Sequence, residues 1–142
     1  MQVRLTNCAE DNSGLLHVSL LSDAISDILS IVASKQKLVI WLHGEVKTPP
    51  FSKAARVEVG YLLRLVQRGD KLCLPVSRPM PSIGPGCHEL RLTDENREWR
   101  VIYHIGADEI HILDVFAKTT NQTPKAIIKA CERRLKRYLK VP

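Results

Sequence analysis

The run CHELRLTDENREWRVIY, residues 87 to 103, leaves little choice of local structure. Apolar and polar side chains alternate on both flanks of a polar DENR quartet, and a period of two on either side of a turn is the pattern of a β-hairpin. With Asp94 to Arg97 as the loop, Thr93 faces Glu98, Leu92 faces Trp99 and Arg91 faces Arg100. Leu90, Leu92, Trp99 and Val101 then point together into a core, while the two arginines share the opposite surface. Like charges directly across a ladder destabilise it. An anion is therefore expected over Arg91 and Arg100.

A third strand follows from Ile110 to Phe116. Placing Leu113 and Val115 on the core face sets Val115 opposite Val101, Leu113 opposite Tyr103 and Phe116 opposite Arg100. One further alternation brings Lys118 onto the arginine face. A slip of one residue would expose Leu113 and Val115 and bury Asp114, which resists the slip. Three cations beside an aromatic ring suit a flexible ribonucleotide strand, with charge for phosphates and a flat surface for a base. A merely solvated polar face accounts for the same charges, and spacing leaves both readings open.

The rest of the chain supplies helices. Leu38 to Leu42 read as a short buried strand, broken by Pro49 and Pro50 before Ser52 caps a helix from Lys53 to Arg68. Ala55, Val59, Leu62 and Val66 line one face of that helix, broadened by Tyr61, Leu63 and Leu65, and Gly69 stands at its C-terminal cap. Gly60, inside the helix, is assigned to close packing against another element. Pro75 to Gly86 is too rich in proline and glycine for regular structure. Thr123 as N-cap and Pro124 in the first turn open a last helix with Ile128, Cys131, Leu135 and Tyr138 or Leu139 along its seam. The fold class expected is α+β.

Residues 1–36 read apart from the rest, as an extension that is either one amphipathic helix (Leu21 to Val32) or disordered. Residues 37–142 form the main domain. A chain of 142 residues with 44% hydrophobic content suits a single core.

Charge narrows the partners. The net charge is +6, and seven of the 21 basic residues fall between Lys125 and Lys140, so a polyanion or an acidic protein is favoured. Lys125, Arg133, Arg134 and Arg137 on this helix, with Phe116 and His104 on the sheet, are the candidate RNA-binding residues. His104 shares the parity of Arg100 and reaches the rim of the site. His88 shares the parity of Leu90 and by default is a partly buried histidine; imidazole chemistry near neutral pH keeps it a catalytic candidate. His17, His43 and His111 have no ligand spacing with one another or with a cysteine, and no Gly-rich phosphate loop appears, so neither metal nor cofactor is implied. The four cysteines lack CxxC spacing, which favours a reducing compartment. The longest apolar run, Leu38 to Leu42, cannot span a bilayer, and no signal peptide is framed, so the expected location is cytoplasmic.

The segments SRPMPSIGPGCHELRL (77 to 92), WRVIY (99 to 103), VFAKTTNQTPK (115 to 125) and ACERRLKRY (130 to 138) resemble the phage-derived, HigB-like branch of the RelE/ParE toxin superfamily. The resemblance implies a RelE-like α+β fold, with N-terminal helices on a curved antiparallel sheet and a basic C-terminal helix. It implies a cognate antitoxin carrying a DNA-binding helix-turn-helix. It also implies metal-independent cleavage of messenger RNA, commonly in the ribosomal A site, by attack of the ribose 2′-hydroxyl on the adjacent phosphate. The protein's part is then to orient the strand, stabilise phosphorane charge and assist proton transfer. On this match Arg91 and Lys118 are the sheet cations and Arg100 stabilises the phosphate. Tyr103, expected to face the core, is a further catalytic candidate. Two other functions stay open: a ParE-like inhibitor of DNA gyrase, and a non-enzymatic basic binding module or decayed toxin.

Overall fold

The computed structural model describes residues 36–42 and 51–140; the amphipathic helix expected between Leu21 and Val32 lies outside them. The elements run β1 (Leu38–Trp41), α1 (Lys53–Gln67), β2 (Ser77–Pro79), β3 (Cys87–Asp94), β4 (Arg97–Ile105), β5 (Glu109–Ala117) and α2 (Lys125–Leu139). The five strands form one sheet in the order β1-β5-β4-β3-β2. β2 to β5 pair antiparallel, but β1 pairs parallel with β5, so the sheet is mixed and not purely antiparallel as expected. The strand ahead of the first described helix is the one expected at Leu38 to Leu42, whereas the RelE-like resemblance implied helices first.

The hairpin at the centre has the expected register, from Cys87 opposite His104 to Asp94 opposite Arg97. Its turn is tighter than the quartet suggested, because Asp94 and Arg97 are themselves paired and only Glu95 and Asn96 remain to reverse the chain. Glu95 takes a left-handed φ of 36° to do so. The Asp94 carboxylate accepts the Ser52 amide at 2.8 Å, and Phe51 packs edge-on against Trp99 at 5.2 Å, which ties the hairpin tip to the start of α1.

α1 lies across one face of the sheet. Ser52 caps it by accepting the Ala55 amide, and Gly69 ends it at φ +95°. Ala55, Val59, Leu62, Leu63, Leu65 and Val66 are buried against Leu90, Leu92, Trp99, Val101, Tyr103, Ile110 and Ile112. Tyr61, expected on this face, is largely exposed. A one-residue slip of the hairpin would turn Leu90 and Leu92 to the other face, each fully buried leucine contributing about 1.5–3 kcal/mol. Hydrophobic burial therefore fixes which way the arginines point.

α2 covers part of the opposite face, with Cys131 and Leu135 packed on Met80, Ile83, Cys87, Ile102 and Leu113. Three expectations fail here for local reasons. Leu113 does not face Tyr103: a bulge between Ile102 and Tyr103 pairs Tyr103 with Ile112, and Leu113 joins the α2 cluster while Val115 stays with the α1 cluster. Asp114, opposite Ile102 on the α2 face, is also buried, and there Arg134 meets it at 2.7 Å and offsets the cost of desolvation. Thirdly, β1 is not buried, since Leu38 and Trp41 at this sheet edge are exposed. Within the proline-rich segment, Ser77–Pro79 pairs as an edge strand, a position that tolerates proline.

Candidate functional site

The α2 face of the sheet, beyond the end of the helix, collects the charges. Arg91 stands opposite Arg100, and Phe116 stands opposite Arg100 on its other side, both as the alternation required. What the alternation did not single out is Glu89, which shares the parity of Arg91 and is 2% exposed. Its Oε1 lies 3.1 Å from Arg78 Nε, 3.3 Å from Arg91 Nε and 3.4 Å from Arg100 Nε. Its Oε2 accepts the Thr123 hydroxyl at 2.7 Å. Thr123 is therefore no helix cap; Pro124 occupies the cap position without a side-chain bond, and the threonine is spent on the carboxylate. One buried acid thus gathers side chains from β2, β3, β4 and the loop before α2.

At the open end of this cluster Glu98 spans the other two cations, with Oε2 at 3.1 Å from Arg100 Nη2 and 2.8 Å from Lys118 Nζ. Arg78, Arg91, Arg100 and Lys118 against Glu89 and Glu98 leave a formal charge of +2 over these six side chains. The like-charge cost of Arg91 facing Arg100 is met from within the protein, by Glu89, before any ligand arrives. Burial alone would push the Glu89 carboxyl up; the Thr123 hydrogen bond and the guanidiniums of Arg78 and Arg91 outweigh it and hold the group below the ordinary carboxylate range. The Lys118 hydrogen bond and charge, with a smaller contribution from Arg100, likewise hold Glu98 low.

Two hollows meet at these cations. One, of about 180 Å³, is lined by Arg78, Glu89, Arg91, Arg100, Phe116 and the polar segment Lys118 to Pro124. The other, of about 350 Å³, shares Arg91, Arg100 and Lys118 and is walled by Glu58, Pro75, Val76, Leu92, Thr93 and Glu98. The sequence-predicted Arg91, Arg100, Phe116 and Lys118 therefore come together. Arg78, Glu89, Glu98 and the Thr119 to Thr123 segment were not foreseen; the parity shared by Glu89, Arg91, Glu98 and Arg100 was the available signal.

His88 and Tyr103 are not part of this cluster. They lie on the α1 face, stacked at 5.5 Å, with the Tyr103 hydroxyl 2.9 Å from Ser77 Oγ, beside a largely apolar cavity of about 530 Å³ that includes Leu72, Leu74 and Ile105. Burial lowers the His88 pKa and raises that of Tyr103. His104 has the expected face but sits away from the arginines, its Nδ1 3.0 Å from His111 Nδ1. His111 continues to Glu109 at 3.1 Å, and the Tyr138 hydroxyl donates to the same Glu109 oxygen at 2.7 Å. On α2, Lys125, Arg133 and Arg137 are exposed, whereas Arg134 is drawn inward to Asp114 and donates to the Leu113 carbonyl at 2.8 Å. Cys87 and Cys131 are free and buried, and burial pushes their thiols up to about 11 and about 12, so neither offers a thiolate.

Among the described residues no helix is long and apolar enough to cross a membrane. Residues 50–136 match the family described as Phage derived protein Gp49-like (DUF891), a span that takes in every residue of the charged cluster. No curated protein matches the chain.

Proposed function

The chain belongs to the phage-derived Gp49-like family, a RelE/HigB-like family of type II toxin–antitoxin systems, and from that premise we propose that it is a toxin acting as a metal-independent, ribosome-dependent mRNA endoribonuclease. The family carries with it an antitoxin partner. We further take that partner to be a helix-turn-helix protein that docks on the exposed basic face of α2, where Lys125, Arg133 and Arg137 attract an acidic segment.

One observation carries the reading: Arg91, Arg100, Lys118 and Phe116 border a single hollow. A phosphodiester laid there meets cations on its non-bridging oxygens, and a neighbouring base meets the Phe116 ring. Charge develops on the phosphorane as the 2′-hydroxyl attacks, and guanidiniums already fixed by Glu89 receive it without reorganising. Arg100, 10% exposed and held from both sides, is the phosphate stabiliser in this scheme, and Arg91 and Lys118 orient the strand.

A second reading has its own support, because Arg91 and Arg100 are both paired with a buried carboxylate. A cluster so neutralised suits a binding module that grips RNA without cutting it. Incubating the purified protein with messenger RNA, with and without ribosomes, and mapping the ends separates the two. Cleavage should appear with ribosomes and fall about 10²–10³-fold in Arg100→Ala, as for loss of one charge-stabilising group. Salt-sensitive binding with no cut product would support the binding module instead.

A further inference from the structure

The endoribonuclease reading needs a group to take the 2′-hydroxyl proton, and the sequence candidates for that task, His88 and Tyr103, stand on the far side of the sheet. Glu89 lies at the centre of the cluster but is 2% exposed and walled in by its guanidinium and hydroxyl partners. Glu98 differs in each respect. Its side chain is 47% exposed, it touches both Arg100 and Lys118, and it lines the larger of the two hollows and not the smaller.

Resting on that reading, we propose that Glu98 is the general base of the site and that the substrate crosses the cations in a fixed direction. The nucleotide upstream of the cut lies in the hollow walled by Glu98, Thr93 and Pro75. The downstream nucleotide lies over Phe116 and the Thr119 to Thr123 segment. The direction follows from the chemistry, since the attacking 2′-hydroxyl belongs to the upstream ribose and must face the base. Without RNA, the Glu98 carboxylate occupies Arg100 and Lys118 as an anion from the chain itself. A bound diester takes over those two cations and leaves the carboxylate beside the ribose.

The proton balance closes within the pair. The 2′-oxygen loses its proton to Glu98 and bonds to phosphorus, and the bond from phosphorus to the 5′-oxygen breaks. The departing 5′-oxygen takes a proton from the Lys118 ammonium. The Glu98 carboxylic acid then returns its proton to the Lys118 amine across their contact, 2.8 Å in the free protein. The products are a 2′,3′-cyclic phosphate and a 5′-hydroxyl, and the protein ends as it began.

The test compares E98Q and E98H with the wild type in the same cleavage assay, with binding measured on a strand carrying a single 2′-deoxy residue at the cut position. E98Q should cut about 10²–10⁴-fold more slowly, while binding the uncleavable strand at least as tightly because a competing negative charge is gone. E98H should recover part of the rate, with an acid limb near pH 6.5 where imidazole loses its proton; a purely structural role for Glu98 would produce no such limb. Wild-type cutting by E98Q overturns the assignment and leaves the endoribonuclease reading intact. Loss of binding together with cutting in E98Q assigns the residue to structure and also overturns it. A wild type that cuts no RNA, with or without ribosomes, overturns the functional reading and this one with it.

Discussion

Glu89→Ala is the most informative perturbation of this fold, because it separates the role of the arginine cluster in stability from its role in binding. Glu89 is 2% exposed and is the shared partner of Arg78, Arg91 and Arg100, whose side chains are 34%, 31% and 10% exposed. Removing one partner of a buried ion pair costs about 3–5 kcal/mol, because the remaining charge is left desolvated. Arg78 and Arg91 can turn to water, so solvent screens their share, and the cost concentrates at Arg100, which among the described residues keeps Glu98 and the Trp99 carbonyl, the latter at 3.2 Å. The alanine variant should therefore lose about 3 kcal/mol, and Glu89→Gln, which keeps the Thr123 contact and the volume, rather less. Glu98→Gln serves as the contrast, an exposed pair screened by solvent, for which a much smaller loss is expected. Urea unfolding followed by circular dichroism measures all three, with an unchanged slope indicating that the folded and unfolded states remain comparable. A loss for Glu89→Ala no larger than that for Glu98→Gln would mean that the arginines reorganise freely. The preorganisation on which the phosphate argument rests would then fail.

Two further outcomes follow from single residues. Gly60 was read as a close-packing site, but a Cβ built there meets nothing within 4 Å among the described residues, so Gly60→Ala should stabilise α1 by about 0.5–1 kcal/mol, read as a higher urea midpoint; a lower midpoint would mean that something outside those residues covers the position. His104 is held neutral by burial and by the nearby charges of His111, His88 and Lys37, so its folded pKa lies below the ordinary 6.5. The unfolded chain then binds the proton more readily, and the contribution is present above about pH 6.5 and lost as pH falls through the acid range. His104→Gln should flatten that part of the stability profile; an unchanged profile would place the pH sensitivity elsewhere.

How much of this could be read from the chain depends on what fixed each residue. The arginine face was legible because four apolar side chains, Leu90, Leu92, Trp99 and Val101, carry the register, and burial energy leaves them one orientation. The third strand was legible only as far as Val115 and Phe116. Toward its start a bulge intervenes, and no local residue preference in Ile110 to Asp114 announces it; nor does the strand announce the burial of Asp114, whose partner Arg134 comes from an element twenty residues on. β1 was legible as a strand but not as a parallel edge, since its partner Glu109 to Ile112 is distant in sequence and nothing in Leu38 to Trp41 selects a direction.

The same distinction explains why the centre of the site was missed. Glu89 had the right parity, but alternation alone treats every polar residue on a strand as solvated, whereas Glu89 is buried by groups that arrive from β2 and from the loop before α2. A carboxylate among arginines reads at first as evidence against an anion site. Its position argues otherwise. Glu89 meets Arg91 and Arg100 at their Nε atoms, and Arg78 at Nε and Nη2, so the terminal Nη groups of Arg91 are left to offer a phosphate. Arg91 keeps both of its Nη groups clear of the Glu89 contact, and Arg100 gives Nη1 to the Trp99 carbonyl and Nη2 to Glu98, the exposed acid that an incoming diester can replace. The buried acid therefore sets direction and the exposed acid sets occupancy, and the formal +2 that remains is what a diester, with its single negative charge, would meet.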